Sequence, residues 1–120
     1  MAKLCAETPV PIALDEELIG VKTYEEKQAL LRLIQPQYII LKPSLLGGIK
    51  SCNEWINLAE KLNIGWWTTS ALEGNIALNA IAQYSQNMVA KLPQGLGTGQ
   101  LFEKNFDAPI KLKGNKVVFR

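Results

Sequence analysis

The sequence predicts an α/β body of parallel strands, followed by a small β-hairpin. Three observations carry that expectation. Short, nearly continuous apolar segments begin at residues 10, 38, 64 and 94, separated by roughly 28, 26 and 30 residues. Between the first three lie amphipathic stretches of helical period, and a crossover of that length is what parallel neighbours need. The end of the chain instead alternates apolar and polar residues around Gly114-Asn115, a two-residue turn signal.

In chain order, "VPIALD" (10–15) reads as the first strand. "TYEEKQALLRLI" (23–34) follows as a helix. Thr23 is its N-cap and Glu26, three residues on, completes a capping box. Tyr24, Ala29, Leu30, Leu31, Leu33 and Ile34 form its expected apolar side, with Glu25, Glu26, Lys27 and Arg32 in water, and Pro36 stops it. "YIILK" (38–42) is the second strand. "IKSCNEWINLAEKL" (49–62) places Ile49, Cys52, Trp55, Ile56, Ala59 and Leu62 on one helical stripe. "IGWWTTS" (64–70) is the third strand, and "NIALNAIAQYSQ" (75–86) a helix starting on Asn75 as cap. "QGLG" (94–97) is a weaker fourth strand. "APIKLKGNKVVF" (108–119) is the hairpin, whose Ile110, Leu112, Val117 and Phe119 need cover from elsewhere.

Composition narrows the chemistry. The 120 residues suit one domain, and 48% hydrophobic content supports a packed core. Thirteen basic against eleven acidic residues leave +2, with no basic stripe, so nucleic acid is not an expected partner. No apolar run approaches a membrane span, and "MAKLCAETP" lacks the apolar core of a signal peptide. Cys5 and Cys52 sit in helical-looking patterns and suggest free thiols in a cytoplasmic protein. Histidine is absent, which removes Ser-His-Asp and Cys-His nucleophile systems and ordinary zinc sites. Carboxylates, lysines, hydroxyls, backbone groups or hard metal ions remain.

In parallel α/β folds, active groups collect at the carboxyl ends of strands. The first strand ends on Asp15, Glu16 and Glu17, where a solvated loop is the plain explanation. The second ends on Lys42, held extended by Pro43, and an ordinary strand-edge lysine would look the same. The third ends "WWTTSALEGN": Thr68 and Ser70 share a face, and the amides before the next helix offer an anion site with Ser70 adding a hydroxyl, against simple capping. The fourth is "GLGTG", a weak glycine motif that lets backbone approach a ligand. Each signal alone is soft. A carboxylate, a lysine, a hydroxyl with a helix terminus and a glycine loop on four successive strand ends are more telling together.

The series "PIALDEEL", "YIILKPSLLGG", "GWWTTSALEGNIALNAIAQ" and "LPQGLGTGQLF" resembles the last four strand units of the o-succinylbenzoate synthases, in the enolase superfamily. The resemblance covers about residues 11–106. It implies the C-terminal half of an enolase-superfamily (β/α) TIM-type barrel, so that residues 1–120 form one partial barrel domain ending in the hairpin 108–119. It also implies a lyase of menaquinone biosynthesis that dehydrates a cyclohexadiene carboxylate to 2-succinylbenzoate through an enediolate held by Mg2+. On the family pattern Asp15 is a metal-binding carboxylate, and Lys42 is a catalytic cation facing the enolate. Ser70, Ala71 and Glu73 fall in the region contacting the substrate's carboxylate arm, and Gly97 in the loop after the last strand.

Against the family, further carboxylate ligands and the Lys-x-Lys that supplies the base have no counterpart here. One carboxylate holds magnesium poorly, because the ion needs several convergent oxygens. The expectation is therefore a fragment without appreciable dehydratase activity and with weak or no metal binding. Its raw half-barrel edges predict self-association. Two other readings stay open: an N-acylamino acid racemase or dipeptide epimerase of the same superfamily, and a standalone half-barrel binding or assembly module.

Overall fold

The computed structural model describes residues 1–88, 91–97 and 101–120. The chain runs α1 (Ala2–Glu7), β1 (Ala13–Leu14), a 3-10 turn (Glu16–Leu18), α2 (Tyr24–Ile34), β2 (Tyr38–Leu41), α3 (Gly48–Lys61), β3 (Gly65–Thr68), α4 (Asn75–Asn87), β4 (Ile110–Lys113) and β5 (Lys116–Phe119). Strands β1, β2 and β3 pair in parallel and in chain order, with Ala13 beside Tyr38 and Tyr38 beside Gly65. β4 and β5 form the antiparallel hairpin, closed by Gly114 at φ +60°.

Side-chain alternation gives the sheet two faces. Leu14, Ile39 and Leu41 are fully buried and pack on Leu31 and Ile34 of α2 and on Cys52, Trp55, Ile56 and Ala59 of α3. The opposite face carries Ala13, Tyr38, Ile40 and Trp67, all only partly buried. There Tyr38 and Trp67 meet with ring centroids 5.8 Å apart. Gly65 is required beneath them, because a Cβ at that position would lie 2.4 Å from the Tyr38 ring. A second core joins Leu78, Ile81 and Ala82 of α4 to Leu96, Ala108 and Ile110, with Val117 packed against it.

α2 starts with the expected capping box: Glu26 N donates to Thr23 Oγ1 and Thr23 N to Glu26 Oε2. Its faces differ from the expected ones. Ala29 and Leu33 are exposed, Leu33 by 73%, whereas Lys27 is completely buried. The Lys27 ammonium has three protons and finds three acceptors, Ser51 Oγ and Glu54 Oε2 at 2.7 Å each and Ser51 O at 3.4 Å. It also lies 5.5 Å from the Trp55 ring centroid. A local hydropathy pattern sees a cation and places it in water; the partners that allow its burial come from another helix.

Three further expectations change. The first strand contracts to two residues, because Asp15 already caps the 3-10 turn. The fourth shrinks to a single parallel bridge between Thr69 and Gly95. Gln94 supplies what a strand there would have given: its Oε1 accepts from Thr68 N at 2.6 Å and from Thr68 Oγ1 at 2.7 Å. In the hairpin, Ile110 is buried, but Leu112 and Phe119 remain exposed. Cys5 and Cys52 are buried free thiols, the former in α1. No helix among the described residues is long and apolar enough to cross a membrane.

Candidate active site

Lys42 follows directly on β2, and Asp15 directly on β1. Pro43 keeps Lys42 extended, and the turn behind it folds back so that Leu45 N and Leu46 N both donate to Lys42 O. The two glycines after that turn, Gly47 and Gly48, adopt φ of +87° and +85°, which side-chain-bearing residues rarely tolerate, and so let α3 start. Parity places Asp15 and Lys42 on the sheet face away from the helices. There Lys42 Nζ donates to Asp15 Oδ2 at 2.7 Å. Both remain reachable by solvent, with 19% of the lysine and 34% of the aspartate side chain exposed. The acid and the amine at the ends of the first two strands therefore converge.

Thr69 continues the parallel ladder, its N–H donating to Leu41 O. Its hydroxyl donates to Gly95 O at 2.7 Å. The sequence points instead to Ser70 at this strand end. Ser70 is buried, and its N–H donates to Gly95 O. Thr69 carries no distinguishing signal in the sequence, because successive hydroxyls point to opposite faces and the pattern alone does not say which face matters. Ala71 N donates to Glu73 Oε2 at 2.6 Å, and Glu73 Oε1 accepts from Ser44 Oγ at 2.6 Å. Ser44 had no distinguishing signal, since its partner is 29 positions away.

At the start of α4 one amide of the expected anion site is already engaged. Gly74, not Asn75, is the N-cap, and Asn75 N donates to Asn105 Oδ1 at 2.9 Å. The Asn75 side chain reaches Phe106 O. Gly97 is exposed and lines a cleft of about 730 Å³ between α4 and the hairpin, shared with Ser85, Gln94, Leu96 and Val117. Gly99 of the glycine motif lies outside the described residues.

The donor set does not fit a magnesium ion by itself. No group of three His, Cys, Asp or Glu among the described residues could hold a metal. Asp15 offers one carboxylate, already engaged by an ammonium. Of its neighbours, Glu17 turns back to accept from Asp15 N at 3.3 Å.

No family model matches the chain. Individual relatives do. An o-succinylbenzoate synthase from Desulfotalea psychrophila is 54% identical over 114 residues, covering 95% of this chain and 31% of the relative. The one from Haemophilus influenzae is 29% identical, covering 84% and 29%. The crystal structure of MenC from Desulfotalea psychrophila superposes with a TM-score of 0.91 at 52% identity, over 97% of this chain and 32% of that one. The chain belongs to the o-succinylbenzoate synthase family. It corresponds to a C-terminal portion of the barrel domain in the enolase superfamily and spans about a third of the length of the relatives it matches. Muconate lactonizing enzyme from Pseudomonas putida (TM-score 0.80, 23% identity, 97% of this chain and 32% of that one) shares the fold alone. So does an L-Ala-D/L-Glu epimerase from Bacillus subtilis (0.80, 20%, 99% and 33%).

Proposed function

We propose that this chain supplies the last strand units of an o-succinylbenzoate synthase, a lyase on the route to menaquinone that dehydrates a cyclohexadiene carboxylate to 2-succinylbenzoate. The supporting observation is the 2.7 Å approach of Lys42 Nζ to Asp15 Oδ2 at adjacent strand ends, in a chain 54% identical to a named synthase. In the reaction a proton leaves the carbon next to the carboxylate, hydroxide leaves the neighbouring carbon with that proton's equivalent as water, and the ring becomes aromatic. Negative charge builds on the carboxylate oxygens as the proton departs. Lys42 is the cation placed against that charge. A preorganised ammonium stabilises it without solvent having to reorganise. The base that takes the proton lies outside this chain.

In a complete barrel Asp15 would offer one oxygen ligand to a magnesium ion, which would supply positive charge against the developing enediolate. The backbone near Ser70 and Ala71 borders the carboxylate arm of the substrate, and Gly97 belongs to the loop beyond. The chain alone has no appreciable dehydratase activity, and it self-associates through the edge of β1 and the half-buried face bearing Ile40 and Trp67.

The test is succinylbenzoate formation, followed by absorbance with magnesium present, for the 120-residue chain and for the complete enzyme that carries these residues. Product is expected from the complete enzyme alone, and Lys42→Met should remove it. Product formed by the short chain, or at an unchanged rate by the Lys42→Met enzyme, would refute the proposal. Light scattering at micromolar concentration should find the short chain larger than a monomer.

A further inference from the structure

We propose that Glu73 is a positioning residue: together with Ser44 it latches the loop behind Lys42 to the loop behind β3, and its carboxylate does not contact substrate. The inference deepens the proposed function and rests on it. Both oxygens of the carboxylate are taken. Oε1 accepts from Ser44 Oγ and Oε2 from Ala71 N, each at 2.6 Å. Ser44 lies inside the turn whose Leu45 and Leu46 amides hold the Lys42 carbonyl. Ala71 follows Ser70, whose amide is bonded to Gly95. One side chain thus ties the ends of the second and third strands to the bridge beyond them.

A second observation points the same way. Leu72, between Ala71 and Glu73, has φ +67°, a left-handed conformation that a leucine adopts only at an energetic cost. Its side chain is 61% exposed, so packing does not impose that backbone. The bond from Ala71 N to Glu73 Oε2 spans this residue and closes the turn that contains it. Such a local constraint persists when the surroundings over-determine it, and it is often found where groups must be placed accurately.

A strut and a charged contact respond differently to substitution. In Glu73→Gln the amide oxygen can still accept from Ala71 N, while the amide nitrogen donates to a Ser44 hydroxyl turned to accept. Glu73→Ala removes both bonds and Ser44→Ala removes one. In the complete enzyme, Glu73→Ala and Ser44→Ala should each lower kcat/KM by about tenfold, mainly in kcat, as expected when a group is displaced by a fraction of an ångström. The double alanine variant should be no worse than Glu73→Ala, because the two residues act as one unit. Glu73→Gln and Ser44→Thr should restore the rate to within about threefold.

The latch is checked separately in the 120-residue chain by hydrogen exchange of the Ala71 amide. Exchange should accelerate at least about tenfold in Glu73→Ala and stay slow in Glu73→Gln. A Gln variant as impaired as the Ala variant would overturn the proposal, since charge would then be what matters. So would multiplicative losses in the double variant, or unchanged Ala71 exchange. An inactive complete enzyme with the exchange pattern intact would instead remove the proposed function and leave the latch standing.

Discussion

Lys42 Nζ and Asp15 Oδ2 lie 2.7 Å apart, joining two strand ends that are 27 positions distant in the chain. A pair this accessible contributes little to stability, because water already solvates both charges well. Asp15→Asn and Lys42→Met in the 120-residue chain should each change unfolding free energy by less than about 1 kcal/mol in urea titrations. A loss of several kcal/mol would mean that the pair is a structural tie.

The opposite is expected of Lys27 and Glu54. Lys27 is fully buried, while Glu54 can turn to water. Glu54→Ala leaves an ammonium in the core with only Ser51 as hydrogen-bond partner and should cost about 3 kcal/mol. Lys27→Met keeps the volume, frees the carboxylate to solvent and should cost less than half as much. Equal losses from the two variants would sink this asymmetry.

The same pair shapes the acid limb. Its hydrogen bond from Lys27 holds the Glu54 carboxyl below its ordinary value of 4.5, against a weaker opposing effect of desolvation. A depressed carboxyl contributes stability that is complete above the unfolded value and is lost as pH falls through the folded one. Unfolding midpoints should therefore drop below about pH 4.5, and less steeply in Glu54→Gln, measured by tryptophan fluorescence across pH 2–6.

Burial pushes the Cys52 thiol from 9.0 up to about 11. The thiolate is the reactive form, so Cys52 should resist a thiol reagent at pH 8 until the chain unfolds. Because the unfolded thiol ionises first, stability should also decline as pH rises from 9 through about 11. Fast labelling of Cys52 in the folded chain would contradict this.

Gly65→Ala would press a methyl into the Tyr38 ring, 2.4 Å from its nearest carbon, and should cost about 2 kcal/mol. Adding Tyr38→Leu should recover much of that loss. Additive losses would place the strain somewhere other than this contact.

The order of strands and helices from β1 to α4, the capping box at Thr23 and the Gly114-Asn115 turn are legible in the sequence, because each shows in a pattern a few positions long; the helix α1 and the loss of the expected fourth strand are not. Helical and strand periods, cap chemistry and turn conformations are local properties of the chain. The positions of Asp15 and Lys42 at strand ends were legible for the same reason. Side-chain partners drawn from distant segments were not. Lys27 is an ordinary surface cation until Ser51 and Glu54 of another helix meet it. Glu73 looks like a solvent-facing acid until Ser44 reaches it, and the amide at the start of α4 looks free until Asn105 arrives. Gln94 taking the place of a fourth strand belongs with them. Each of these depends on a contact across 24 or more positions, which only the packing of helices and loops onto the sheet creates.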